Sequence, residues 1–177
     1  MERELRRNQN LLYCVGTGVI MFGLWSVIKG IMTLFLQRDE LIVMFETIKA
    51  SLTPDIADYF VSTFTIVCII IGIIIGVLLL MHICVGLSAR KEGMGRRKKD
   101  RVGYLVVAFI LLVVSVAIVV PEIPALFKGV DGLLDEIVTV IVDVTSIVVI
   151  LELIVTGIKV RILKRKLNEE EKEEGSS

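Results

Sequence analysis

Four ionisable side chains lie inside long apolar stretches of this chain: Lys29, His82, Asp143 and Glu152. A charge at mid-helix in a bilayer costs roughly 2.5–3.5 kcal/mol on insertion scales, so each needs a partner, a wet cavity or a function. Two carboxylates and an imidazole are also the groups from which a proton or cation relay is built. At a rise of about 1.5 Å per residue, Lys29 lies about 27 Å from the start of the first apolar run, and Asp143 about 21–24 Å from the end of the last. His82 lies about 12 Å before Arg90, and Glu152 about 7–10 Å before the end of the last run. Depth therefore pairs Lys29 with Asp143, and His82 with Glu152. Asp143 and Glu152 stand about 180° apart around one helix, so they cannot face one neighbour or one narrow pore. Glu136 and Thr139 share the Asp143 face, and Thr145 and Thr156 share the Glu152 face. Plainer readings stand beside these: Lys29 snorkels to the interface, His82 is a satisfied polar residue near headgroups, and the two carboxyls are structural glue.

Catalysis finds little support. The single histidine has no serine, cysteine or glutamate beside it in a nucleophile or zinc arrangement, and neither an HExxH nor paired aspartates with glycine signatures occur. A non-enzymatic protein without a cofactor is expected. Gly93-Met94-Gly95 lacks the Lys-Ser/Thr ending of a phosphate loop. Cys14, Cys68 and Cys84 form no CxxC pair and read as buried small hydrophobes, not as a disulfide framework or a metal site. The basic stretch Arg96, Arg97, Lys98, Lys99 suits anionic lipid headgroups or an acidic partner, and equally serves as a topology signal. No aromatic or groove-reading element accompanies it, so nucleic acid is not an expected partner.

The elements that carry these residues follow from patterning. Of 177 residues, 55% are apolar, and they gather in four runs: 11–36, 60–89, 102–120 and 133–158. Each is long enough for a helix to cross about 30 Å of hydrocarbon. The runs are continuous, not alternating, which selects helices over barrel strands. The first is too long for a signal peptide and no small-x-small site follows it, so it reads as an uncleaved span. Segments next to the N-terminus, between spans two and three, and after span four hold sixteen Lys and Arg against three in the other two connections. That asymmetry places both termini in the cytoplasm, with the plasma membrane as the expected location.

Between Asp39 and Leu52, the residues Leu41, Met44, Phe45, Ile48 and Leu52 recur at helical spacing, predicting a short amphipathic helix outside the cytoplasm. Thr53-Pro54-Asp55 predicts a helix start, and Pro121 and Pro124 a helix end. The acidic stretch 167–177 is expected to be a disordered tail following a transmembrane domain over 1–166. Cys68, Gly72 and Gly76 form a small-residue row, suited to packing within the chain or to a homodimer or membrane-protein partner. No internal repeat is evident.

The reading is an all-α, integral membrane four-helix bundle, N-in and C-in, with a short extracytoplasmic amphipathic helix. Its expected role is accessory or interaction subunit of a membrane complex. The alternative is a small proton or cation channel or transporter that uses the intramembrane carboxylates.

Overall fold

The computed structural model describes residues 1–36, 38–95, 102–126 and 133–174, and every regular element among them is α-helical. The elements are α1 (Glu2–Leu36), α2 (Arg38–Ala50), α3 (Pro54–Gly93), α4 (Gly103–Leu126) and α5 (Leu133–Glu174). All but α2 are long and apolar enough to cross a membrane. The β-branched residues that fill them are poor helix formers in water, but lipid offers the backbone no other hydrogen-bond partner.

The helices overrun the apolar runs, and each extension has a local cause. α1 begins at Glu2, where Asn8 Nδ2 donates to the Glu4 carbonyl at 2.9 Å and Arg6 lies one turn from Glu2. α3 starts at Pro54 directly after Thr53, as the hydroxyl-proline signal predicts. It stops at a left-handed glycine: Gly95 has φ +68°, its N–H reaches the Glu92 carbonyl at 3.0 Å, and the Met94 N–H reaches that of Arg90 at 2.9 Å. Glycine takes that conformation without a Cβ clash, so Gly93-Met94-Gly95 is a helix stop.

Two expectations about ends are corrected. α4 does not stop at Pro121 but runs through it and Pro124 to Leu126. Proline deletes one backbone bond each time, and near a helix end few bonds remain to lose. The segment after Leu167 is helical as far as Glu174, where disorder was expected. Its Lys and Glu residues are strong helix formers. Arg165 Nε also donates to Glu169 Oε1 one turn on, at 3.0 Å.

The chain divides into two compact units, Met1–Phe22 with Met81–Ser177, and Gly23–Leu80. The first holds the buried core. Leu12, Val15 and Val19 of α1, Val85 and Ala89 of α3, Leu105, Ala108 and Leu111 of α4, and Ile150, Leu153 and Val160 of α5 are all buried. Their three- and four-residue spacing gives each helix one inward stripe. Between α1 and α3 the backbones meet: a Cβ at Gly86 would sit 2.5 Å from the Gly16 carbonyl oxygen, and one at Gly93 would sit 2.6 Å from that of Gln9.

In the second unit, α2 packs against α3 through Phe45 of its apolar face. The Phe45 ring lies 5.4 Å from that of Phe60 and 4.9 Å from that of Phe64, both on α3. Residues 62–74 of α3 are exposed all round. Cys68 and Gly72 belong to this stretch and Gly76, also exposed, follows it; a Cβ at either glycine meets nothing within 4 Å. The row therefore packs against no described part of its own chain. Cys14, Cys68 and Cys84 are exposed, not buried as expected. Gly72→Ala and Gly76→Ala should leave stability in detergent unchanged or raise it by about 0.5–1 kcal/mol each, since alanine is the better helix former and nothing obstructs it. Thermal unfolding checks this, and a fall in either variant would contradict the open face.

Candidate functional site

The polar centre of the first unit lies where the apolar run of α1 and the helix α4 begin, α3 stops and α5 leaves its apolar run. Two arginines there lie over tyrosine rings. Arg90 of α3 stacks on Tyr13 of α1, with its guanidinium carbon 4.9 Å from the ring centroid, and its Nη2 donates to the Tyr13 hydroxyl at 3.0 Å. Arg161 of α5 stacks on Tyr104 of α4 at 5.3 Å. Such cation–π contacts contribute about 0.5–2 kcal/mol, more where water is excluded.

Each arginine follows a glycine by four residues, Gly86 before Arg90 and Gly157 before Arg161. A helical side chain leans over the turn preceding its own Cα, so Gly157 clears the space in which Arg161 and Tyr104 meet, whereas Gly86 makes room for Ile20 and the Gly16 carbonyl of α1. A Cβ at Gly157 would lie 2.9 Å from the Tyr104 hydroxyl. The first unit thus repeats a pattern: a tyrosine near the start of one apolar run, and Ile-x-x-Gly-x-x-x-Arg on a second helix beside it. The two copies are Ile83 to Arg90 and Ile154 to Arg161. Three identities among apolar residues are too few to mark a repeat by themselves; the paired tyrosine contacts make it visible.

One carboxylate joins the two copies. Glu92 is only 3% exposed, and its Oε1 lies 3.5 Å from Arg161 Nε, whose side chain is 15% exposed. It ties the end of α3 to α5. No protein-family model, no curated protein and no solved structure matches the chain. The site's meaning therefore rests on its geometry.

That geometry ties helices together. The arginines lie against rings, a hydroxyl and a carboxylate of the chain itself, in a seam that glycines close to backbone contact. Among the described residues, no three His, Cys, Asp or Glu side chains converge as metal ligands would.

The residues singled out by depth fare differently. His82 is buried and Glu152 is exposed, so the layer proposed between them is not formed. Asp143 is half-buried in the first unit, while Lys29 belongs to the second. Lys29, His82 and Asp143 are each engaged within the chain. Arg96, Arg97, Lys98 and Lys99 lie outside the described residues. Tyr13, Arg90, Glu92, Tyr104 and Arg161 escape a reading centred on span interiors because they sit at span ends, where charge is unremarkable. The signal that finds them is Gly-x-x-x-Arg closing two hydrophobic runs whose partner runs open with tyrosine.

Proposed function

We propose that this chain is a non-enzymatic multi-pass protein of the plasma membrane, acting as an accessory or interaction subunit of a larger membrane complex. The observation that carries this reading is the seam of Arg90, Tyr13, Arg161, Tyr104 and Glu92. Arg90 and Arg161 engage Tyr13, Tyr104 and Glu92 across helix interfaces, an arrangement suited to holding helices together. Asp143 and Glu152 differ in the same sense, one half-buried and the other facing outward. In this reading, both termini and the basic stretch 96–99 are cytoplasmic, the latter against anionic headgroups, and α2 lies on the opposite side. The small-residue row of α3 is left free for a homodimer or a membrane-protein partner.

The test is ion flux through the purified protein in liposomes, for wild type, Asp143→Asn and Glu152→Gln. The expected result is no proton or cation flux above that of protein-free vesicles in any of the three. Flux in the wild type that disappears in either folded variant would replace this reading with a channel or transporter.

A further inference from the structure

We infer that the outward face of α5 centred on Glu152 is the docking surface for a transmembrane helix of a different protein, one that carries a lysine or arginine at the depth of Glu152. This deepens the subunit reading and rests on it.

Glu152 lies within the candidate span Val138–Glu170 and is exposed. Its neighbours one turn either way on the same face, Val148 and Val155, are 55% and 44% exposed. Among the described residues none gives Glu152 a hydrogen bond or an ion pair. Nor can it reach water as a lysine would. The nearer charged end of the span begins at Lys159, about 10 Å further along the helix. A glutamate side chain is short and leans toward the helix N-terminus, away from that end. A carboxyl held in an apolar surround calls for a cation or strong donors, and low dielectric strengthens that attraction.

The face has the spacing of a helix seam. Thr145, Val148, Glu152, Val155, Lys159 and Ile162 alternate steps of three and four residues, and all are exposed. Its polar positions alternate in sign, with Glu152 inside the span and Lys159 near its end. A second copy does not complement this face, because two-fold pairing brings Glu152 to Glu152 and Lys159 to Lys159. The chain's other basic groups within spans do not serve either: His82 is buried, and Lys29 is placed by sequence near the far end of its own span. The fitting occupant carries a basic residue opposite Glu152 and an acidic one level with Lys159.

The experiment uses the full chain, donor-labelled, in phosphatidylcholine vesicles with acceptor-labelled polyleucine transmembrane peptides. One peptide has a single lysine at the depth of Glu152, one has the lysine in the opposite third of the helix, and one has none. Energy transfer should report association roughly tenfold tighter for the matched lysine than for the other two, the scale of polar contacts between helices in bilayers. Glu152→Gln should remove the difference while leaving thermal stability intact, and Glu152→Asp should retain it. Equal transfer from all three peptides overturns the inference, as does transfer between two labelled copies of the chain that Glu152→Gln abolishes. Should Glu152→Gln fail to fold, the depth-shifted peptide against wild type still decides. Equal transfer without ion flux removes this face alone, whereas flux lost in Glu152→Gln removes the subunit reading as well.

Discussion

Replacing Glu92 by glutamine lowers the stability of the first unit by about 3 kcal/mol. The substitution keeps the volume and removes the charge, leaving the Arg161 guanidinium, itself mostly buried, facing an uncharged amide. A buried ion pair contributes little net stability when intact, because desolvation offsets the attraction. Breaking it by removing one partner is the costly event, since the remaining charge stays buried. The magnitude is at the low end because Arg161 is 15% exposed and its Nε stands 3.5 Å from the carboxylate. The companion variant separates charge from packing. Glu92→Leu combined with Arg161→Met should recover most of the loss, with any remainder reflecting the Tyr104 stacking that also goes. Chemical unfolding in detergent of wild type, the single variant and the double variant gives the comparison. A single-variant loss under about 1 kcal/mol would place the pair in the class of solvated surface bridges.

Gly86→Leu should destabilise the chain by about 3 kcal/mol, the upper range for overpacking a close interface. The obstacle is backbone: the added Cβ would lie 2.5 Å from the Gly16 carbonyl oxygen, which moves only if α1 and α3 separate. Separation also breaks the 3.0 Å hydrogen bond from Arg90 to Tyr13, one turn along the same interface. Gly86→Ala should already lower the unfolding temperature, while Gly76→Ala, with open space at its Cβ, should not. If the two alanine variants unfold at the same temperature, the close approach at Gly16 and Gly86 is absent in the membrane-extracted protein.

The contrast between these glycines shows where sequence reading stops. Gly72 and Gly76 form the conspicuous GxxxG, yet nothing of the described chain lies near them. Gly86 and Gly157 belong to no such motif and sit where helices touch. A small residue permits close approach without specifying which neighbour arrives; that depends on how four helices share one interior. The same holds for charge. Glu92, at the end of a run and next to a basic stretch, looks like an ordinary surface residue, but the chain stop at Gly95 and the passage of α5 enclose it. His82 and Glu152 match in depth, but azimuth separates them: one faces the core and the other faces out.

Sequence by itself determined the four long apolar helices, the amphipathic helix α2 with Phe45 on its working face, and the start of α3 at Thr53-Pro54. Lipid leaves an apolar backbone only the helix, and caps act within a few residues, so both constraints are local. Tertiary structure alone decided which arginine lies on which tyrosine, that Glu92 joins α3 to α5, and that Glu152 faces outward. In spans apolar on every side, the hydrophobic pattern does not distinguish the face toward protein from the face toward lipid. The choice is made by close packing and by the pairing of a few polar groups between helices distant in the chain.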